Sequence, residues 1–300
     1  MFVSVLSVYD ALMNICAMTM VYQDYWALAQ WIRHYSKQLG IENLYVVVHG
    51  PDKKINEIAA GANIWTIPRD NLERFDKRRN KMLNQFQSGL LQFYDWVIRT
   101  DADELICVDP NMHGTLYGLL NKQTDDTVFA VGLNLYEGLE DGEMVDDASV
   151  FDMRRSAIIT GNYSKAWAVS VETPLMRHGV RVAEDGELKY SHAFPEGVFL
   201  VHLKFAHMPA LVDANETRKS LARSDLPGMP GLGWRKAESH ARRFFETASG
   251  MKLTAWDEAI EQARIEILTD MKFSEDDGVL RSPGIPYICR TELPDWFKDN

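Results

Sequence analysis

Three carboxylates follow an apolar run in the middle of the chain. Residues 94–110 read YDWVIRTDADELICVDP, so the run 96–98 leads into Asp101, Asp103 and Glu104 before apolar residues resume. Residues i and i+2 of an extended chain point to the same side, so we expect Asp101 and Asp103 to face one ligand and Glu104 to face away. Carboxylate oxygens suit hard divalent cations. A solvated turn between two strands is the alternative interpretation of this D-x-D pattern.

The elements that position these acids alternate regularly. Apolar runs predict strands at 14–21, 44–48, 63–67 and 96–100. Helical periodicity separates them at 24–38 and 55–60 and in a long helix that a D-x-x-E capping box at 70–73 would begin. Strands separated by crossovers predict an α/β fold, a mainly parallel sheet with helices on both faces. Ligands of such sheets bind at the carboxyl ends of the strands, and the D-x-D segment lies at one of them.

The second half has the pattern of an antiparallel extension. Short strand-like segments occur at 128–135, 151–154, 165–171 and 180–182, with an acidic, mobile surface loop expected at 136–147. Alternation over 197–205 places His202 and Lys204 on one strand face, opposite an apolar face. We expect a loop at 209–234 and helices at 237–247 and 255–270, the second with Thr254 as N-cap.

Size and composition limit the functional classes. A chain of 300 residues with 46% hydrophobic and 25% charged residues is typical of a globular protein. We expect a catalytic domain over 1–210 and a loop with a C-terminal helical extension packing on it over 211–300. A net charge of −11 argues against a nucleic-acid binder.

Cysteine usage and the N-terminal sequence suggest a location for the protein. Cys16, Cys107 and Cys289 are widely separated, which predicts buried free thiols in a reducing compartment such as the cytoplasm, with peripheral membrane association left open. The apolar N-terminus lacks a basic region and is interrupted by Asp10 and Asn14, so neither a signal nor a transmembrane segment is favoured.

The order of these features resembles the GT-A nucleotide-sugar glycosyltransferases, and within them the enzymes related to glycosyltransferase family 2. The resemblance spans roughly residues 14–207 and rests on CAMTMVYQDYWALAQWIRHYSKQLGIENLYVVVHG, WVIRTDADELI, NYSKAWA and FLVHLKFAH. Related enzymes place a glutamate after the first strand, in a Lys/Arg-Asn-Glu-like turn, where this chain has Gln23 and Asp24.

The resemblance implies a metal-dependent transferase that moves a sugar from a nucleoside-diphosphate donor to a glycan, lipid or small-molecule hydroxyl. Asp101 and Asp103 would hold Mn²⁺ or Mg²⁺ at the donor's phosphates, where the cation stabilises the departing charge. His202 would complete the metal site and favour Mn²⁺, and Lys204 would neutralise a phosphate. The alternative for His202 is a core histidine bonded to a backbone carbonyl.

Further donor contacts follow from the position of that family's donor site. The candidates are Tyr22, Asp24, His49, Asp52, Arg78 and Lys165. Tyr22 would stack on the base, and a carboxylate would accept from a ring N–H or the ribose hydroxyls. Arg78 or its neighbour Arg79 would reach the donor from the helix, and Lys165 would contact phosphate or cap a strand. An ordinary loop or solvated helix face is the alternative for each.

The acceptor side is less defined. Tyr163 and His178 are acceptor candidates, and Trp167 and Trp234 are possible sugar-stacking surfaces, although tryptophan more often packs in a core. An inverting transferase needs a general base, and the sequence does not choose among Glu172, Glu184 and Asp185. A retaining mechanism stays open.

Two other functional classes stay open. A nucleotidyltransferase would use the same cation–carboxylate chemistry, but no glycine-rich phosphate loop occurs near the N-terminus. An inactive GT-A-like module would bind a glycan or a partner through the loop at 136–147. The sequence does not identify the sugar, the base, the acceptor or the oligomeric state.

Overall fold

The computed structural model describes residues 13–145, 147–222 and 236–300. Its mixed sheets carry helices on both faces, so the predicted α/β class is confirmed. Among the described residues, none of the helices combines the length and the apolar sequence that crossing a bilayer requires. The three cysteines are free and buried, as expected.

The first sheet contains the predicted parallel strands. Its members are β1 Ile15–Val21, β2 Leu44–His49, β3 Asn63–Ile67, β4 Trp96–Arg99, β6 Thr127–Phe129 and β9 Ala166–Val169. They are ordered β3-β2-β1-β4-β9-β6. The strands β1 to β4 run parallel to one another, and β9 is antiparallel to both β4 and β6. The carboxyl ends of β1, β2 and β4 therefore meet at one edge.

Helices cover this sheet on both faces. The N-terminal helices are α1 Tyr25–Leu39, α2 Lys53–Ile58 and α3 Phe75–Leu90. Alternate residues of β1 supply the two cores, because successive side chains of a strand point to opposite faces. Ala17 joins Trp31 of α1 in one buried cluster, whereas Met18 joins Leu83 of α3 in the other.

The start of α3 differs from the prediction. The D-x-x-E segment 70–73 does not cap the helix, which begins at Phe75 after Arg74 in a left-handed conformation (φ 50°). The Asn71 side chain instead accepts from the Glu73 N–H at 2.8 Å, so a local turn satisfies the backbone that the capping box would have engaged. The helix ends at Leu90, and Phe93 beyond it is 82% exposed.

The second sheet contains the strands that carry Glu104 and His202. Its strands are β5 Glu104–Val108, β7 Val131–Tyr136, β8 Ser156–Thr160, β14 Val198–Phe205 and β17 Arg290–Glu292, in the order β17-β8-β7-β14-β5. The expected single strand at 128–135 is thus two strands in different sheets, joined at Ala130. The strand β14 pairs antiparallel with β5, which places His202 opposite Glu104.

Short elements complete the described chain. The remaining strands are β10 Leu175–Met176, β11 Gly179–Arg181, β12 Ala183–Glu184, β13 Glu187–Leu188, β15 Lys272–Ser274 and β16 Val279–Arg281. The remaining helices are α4 Pro110–His113, α5 Leu116–Leu120, α6 Val150–Met153, α7 Met208–Ala222, α8 Ala237–Gly250 and α9 Trp256–Asp270.

Three predictions in this half need correction. Residues 151–154 end the helix α6 instead of forming a strand, because Ser149 caps that helix by accepting from the Phe151 N–H. The expected loop at 209–234 is helical up to Ala222, and residues 223–235 lie outside the described part. Ala255, with no side-chain cap bond, replaces Thr254 as N-cap of α9. The tail also supplies β16 and β17, which pair with β11 and β8.

Candidate functional site

A cleft of about 510 Å³ opens where β1, β2 and β4 end. One side is formed by residues that follow these strands and by the first turns of α3. The other side is formed by the turn at 161–163, the end of β14, and α7 and α8. The cleft therefore joins the two sheets at the edge where the sequence predicted a ligand.

The D-x-D segment forms a turn, not an extended chain. The Glu104 N–H donates to the Asp101 carbonyl at 3.0 Å, and the Asp101 N–H donates to the Glu104 carboxylate at 3.0 Å. The two-residue alternation of a strand therefore does not apply, and the Asp101 and Asp103 carboxylates have different partners. Glu104 is wholly buried behind Asp101 and is not among the residues that line the cleft, so it faces away from the ligand side as expected.

Asp101 belongs to a network of four charges. Arg79 donates to its Oδ1, and Lys165 Nζ lies 3.8 Å from its Oδ2 and 2.7 Å from Glu104 Oε1. The surrounding protein alone would raise the pKa of Asp101, but Arg79 and Lys165 outweigh this effect and hold that pKa well below its ordinary value. Burial would lower the pKa of Lys165, yet Glu104 and Asp101 raise it. Lys165 is therefore held as an ammonium.

Asp103 and His202 form a separate pair. Asp103 Oδ2 lies 3.2 Å from His202 Nε2, while His202 Nδ1 lies 2.8 Å from Asn134 Oδ1 on β7. The His202 ring is 3% exposed and stacks on Tyr163 with 3.9 Å between ring centroids. His202 is thus neither a free ligand nor a core histidine bonded to a backbone carbonyl. It holds Asp103 and Tyr163 at the cleft.

These partners do not fit the predicted metal set. Among the described residues, no group of three His, Cys, Asp or Glu side chains is arranged to hold a metal ion. Both Asp101 carboxylate oxygens face a cation, so a divalent ion placed there would lie beside two existing positive charges. The Mn²⁺ or Mg²⁺ cofactor stays a prediction.

An aromatic and cationic wall closes the end of the cleft at β1, β2 and β3. The Arg69 guanidinium lies 3.3 Å from the centroid of the Tyr22 ring, and its Nη1 lies 2.6 Å from His49 Nδ1. The His49 ring stacks on Phe75, with centroids 5.0 Å apart and planes 6° apart. Burial and the neighbouring arginines, Arg69 first, lower the pKa of His49 to about 4. Neutral His49 can therefore accept the hydrogen bond from Arg69.

His178 lines the cleft beside Tyr163. Its backbone lies in the left-handed region (φ 55°), and its ring meets Tyr163 edge-on at 5.8 Å between centroids. Its buried Nδ1 makes no hydrogen bond with the described residues. Burial, followed by Lys165 and Arg177, lowers the pKa of His178 to about 4. His178 is therefore a neutral ring beside Tyr163 in the cleft lining.

The cleft lining includes most of the predicted ligand residues. It contains Tyr22, Asp24, His49, Asp101, Asp103, Tyr163, Lys165, His178, His202 and Lys204. Two donor candidates lie outside it. Asp52 caps α2 by accepting from the N–H groups of Lys54 and Ile55, and Arg78 is exposed and donates to the Asn71 carbonyl at 2.9 Å.

The three candidate bases also lie outside the cleft. Glu172 is exposed and accepts from the Gln92 amide at 3.3 Å, while Glu184 is exposed and pairs with Lys189. Asp185 occupies the turn between β12 and β13, with φ of 51°. All three are exposed polar residues, which sequence spacing alone does not distinguish from a site. Trp167 is wholly buried in the core and presents no sugar-stacking surface, and Trp234 lies outside the described residues.

Sequence reasoning missed several residues of the cleft. Arg69 follows β3 at the same carboxyl edge as Tyr22 and His49, so the rule that selected those two also applied to Arg69. Arg99 ends the apolar run of β4 and donates to Asn84 Oδ1 at 2.6 Å and to the Leu175 carbonyl at 2.8 Å. Burial and then Arg79 lower the pKa of Arg99 to about 9. A charged residue inside a buried strand was the available signal.

Comparisons with known proteins find fold likenesses only. No family model matches the chain, and no curated protein matches it. A cytidylyltransferase from Leptospira borgpetersenii serovar Hardjo-bovis is 14% identical, with a TM-score of 0.26 and coverage of 39% of this chain and 54% of that one. The chain thus spans about half of that cytidylyltransferase. S. aureus TarS is 11% identical, with a TM-score of 0.32 and coverage of 77% of this chain and 43% of that one.

A third likeness is to CMP:2-keto-3-deoxy-manno-octonic acid synthetase complexed with CTP. It is 10% identical, with a TM-score of 0.28 and coverage of 78% of this chain and 86% of that one. At such scores these likenesses carry no argument about activity. The residues themselves define an α/β protein with a cationic cleft at the carboxyl ends of its parallel strands.

Proposed function

We propose that this protein is a transferase that uses a nucleotide-sugar donor, and specifically a glycosyltransferase acting on a hydroxyl acceptor. The observation that carries the proposal is the continuity of one cleft. The same cleft contains a stacking wall at Tyr22, Arg69 and His49, a charged centre at Arg79 and Lys165, and the rings of Tyr163 and His178. These three groups of residues suit a base, a diphosphate and a sugar.

The donor half has chemistry suited to a nucleoside diphosphate. An aromatic ring and a guanidinium plane both stack on nucleobases. Arginine and lysine bind phosphate oxygens through charge-assisted hydrogen bonds. Fixed cations near the leaving oxygen would stabilise the charge that develops as the bond to the sugar breaks. Arg79 and Lys165 are the cations at that position in the proposal.

The acceptor half lies beside α7 and α8. Ala214 and Thr217 of α7 and Ala237 and His240 of α8 line the cleft there. Tyr163 presents an aromatic ring on which a sugar can stack, and the neutral His178 ring lies edge-on beside it. Glu172, Glu184 and Asp185 are no longer part of the proposal as general bases, since they lie outside the cleft.

A donor screen tests the proposal. Thermal unfolding is measured with UDP, GDP, CDP, ADP and dTDP, and release of nucleoside diphosphate is then measured from the sugar donors of the nucleotide that stabilises most. A ligand at a hundredfold excess over its Kd should stabilise the fold by about 2.7 kcal/mol. Tyr22→Ala should weaken binding by roughly tenfold because it removes base stacking. Tyr190→Ala, outside the cleft, is the control.

Two outcomes contradict the proposal. The first is that no nucleoside diphosphate or nucleotide-sugar stabilises the protein. The second is release of pyrophosphate from a nucleoside triphosphate and a sugar phosphate, without release of nucleoside diphosphate from any sugar donor. That second result would identify a nucleotidyltransferase.

A further inference from the structure

Asp101 lies between two cations at the centre of the cleft. Arg79, from α3, contacts one carboxylate oxygen, and Lys165, from the segment that follows Tyr163, lies 3.8 Å from the other. The Asp101 side chain is 41% exposed, whereas those of Arg79 and Lys165 are 25% and 14% exposed. The carboxylate is thus more exposed in the cleft than the two cations that it holds together, and each cation keeps part of its own side chain exposed.

Lys165 is held in place by the fully buried side chain of Glu104. Glu104 has no exposed side-chain surface, and its carboxylate lies 2.7 Å from Lys165 Nζ. A buried carboxylate is stable only when it is paired and hydrogen-bonded, and Glu104 meets this condition through Lys165 and the Asp101 N–H. The Lys165 ammonium is therefore held at one place beside Asp101, even though lysine is ordinarily flexible.

The cleft is cationic although the protein is acidic. The chain carries a net charge of −11, yet six lysine or arginine side chains line the cleft with four aspartates. The six cations are Arg69, Arg79, Arg99, Lys165, Arg177 and Lys204. A local excess of positive charge attracts anionic ligands and concentrates the field inside a concave surface. The same excess disfavours a divalent cation.

We propose that Arg79 and Lys165 neutralise the donor diphosphate without a divalent metal ion, and that Asp101 is a positioning residue for these two cations instead of a metal ligand. The inference rests on the proposed function, because it names how that donor site binds its phosphates. It differs from the metal-dependent site that the sequence resemblance implied. The disagreement comes from the turn at Asp101, which directs that carboxylate to cations.

Titration calorimetry with excess EDTA tests this inference. The probes are inorganic pyrophosphate and the nucleoside diphosphate that stabilises most in the donor screen. Both should bind in EDTA with affinities within about threefold of those in Mn²⁺ or Mg²⁺. Binding that requires the metal would overturn the inference and leave the proposed function intact. Binding of pyrophosphate but of no nucleotide would support the cation site and contradict the proposed function. Binding of neither probe would overturn both.

Charge-removing variants test the two cations. In EDTA, Arg79→Met should lower pyrophosphate affinity by at least tenfold, because it removes a bidentate phosphate donor. Arg78→Met removes the same charge one residue away, outside the cleft, and should change the affinity by less than threefold. Equal losses of affinity in the two variants would mean that the overall charge of the protein, and not a contact with Arg79, controls pyrophosphate binding. That result would contradict the inference.

Lys165→Met leaves Glu104 buried without its cation and is at risk of misfolding. The double variant Lys165→Met/Glu104→Gln keeps the pair neutral and similar in size. It should fold, as judged by circular dichroism, and should lose at least tenfold in pyrophosphate affinity. Full affinity in the folded double variant would exclude Lys165 from the phosphate site.

Asp101→Asn separates a positioning role from metal ligation. Asparagine keeps an oxygen that accepts from Arg79 while it removes the negative charge. Pyrophosphate should therefore bind in EDTA at least as tightly as it binds to the unmodified protein, whereas Asp101→Ala should bind it more weakly. If Asp101 ligates a metal, Mn²⁺ or Mg²⁺ should raise the pyrophosphate affinity of the unmodified protein but not that of Asp101→Asn. That result would contradict the inference.

Discussion

Arg154 shows how one buried charge organises a surface loop. Its side chain has no exposed surface, and its guanidinium donates to the carbonyls of Ala206 and Gly142 at 2.8 and 2.9 Å. It also pairs with Glu137 at 2.9 Å and lies 3.9 Å from Asp141. The acidic residues in this loop, which looked like a solvated surface in the sequence, partly serve to satisfy one arginine. The loop is thereby tied to the end of β14.

Removal of this guanidinium should be costly. Arg154→Met would remove the guanidinium donor of three carbonyls, those of Ala206, Gly142 and Met153, and the cationic partner of Glu137. We expect a loss of about 3 kcal/mol in the free energy of unfolding. Arg155→Met is the matched control, since Arg155 is 49% exposed and pairs with an exposed Asp295. That pair should contribute less than about 1 kcal/mol. Urea unfolding measures both values. Similar losses of stability in the two variants would contradict the proposed role of buried Arg154 in holding the loop.

At the scale of elements, the close contact between β7 and the turn at 161–163 positions Lys165. The Gly132 N–H donates to Ser164 Oγ at 2.8 Å, and Ser164 Oγ donates to the Thr160 carbonyl at 2.8 Å. A Cβ at Gly132 would collide with the backbone of Tyr163 and Ser164. The absence of a side chain at Gly132 therefore lets this turn approach β7 and aim Tyr163 and Lys165 into the cleft.

Gly132→Ala should disturb the site through this contact. Overpacking against backbone typically costs about 1–3 kcal/mol, and displacement of the turn should also weaken pyrophosphate binding by several-fold. Gly142→Ala is the control, because a Cβ at Gly142 meets nothing within 4 Å. Calorimetry and urea unfolding measure the two effects. If Gly132→Ala loses stability but binds pyrophosphate normally, the contact supports the fold alone and not the position of Lys165.

The sequence predicts the strands of the first sheet but not the partners of Asp101. The strands β1 to β4 match their predicted bounds within one residue at each end. The strands β1, β2 and β4 lie inside the sheet and are nearly continuous apolar runs, whereas β3 is an exposed edge strand. The position of the cleft, at the carboxyl ends of these strands, was predicted from their parallel order. The partners of Asp101 did not, because Lys165 and Arg79 reach it through sheet pairing and a turn that no local pattern specifies. Charge pairs across 22 and 64 residues depend on tertiary structure.

Across the whole molecule, buried histidines should make stability depend on pH. His34 of α1 is 5% exposed, and its Nε2 lies 2.8 Å from the Ile106 carbonyl on β5. Burial lowers its pKa to about 4 from an ordinary value of 6.5. His49 and His178 have pKa values of about 4 for the same primary reason. Two histidines of the cleft and one of the core therefore share one response to acid.

The sign of this response follows from linkage. Between pH 6.5 and about 4 the unfolded chain binds a proton at His34 that the folded protein does not, so the stability is complete above pH 6.5 and falls as the pH decreases. For His34 alone we expect a loss of about 2 kcal/mol between pH 7.5 and 5. His34→Gln keeps an N–H donor for Ile106 but cannot take up the proton, so its loss over this interval should be smaller by that amount. Urea unfolding of both proteins at pH 7.5, 6 and 5 measures the difference. Parallel losses would mean that folded His34 titrates normally and that burial does not hold it neutral.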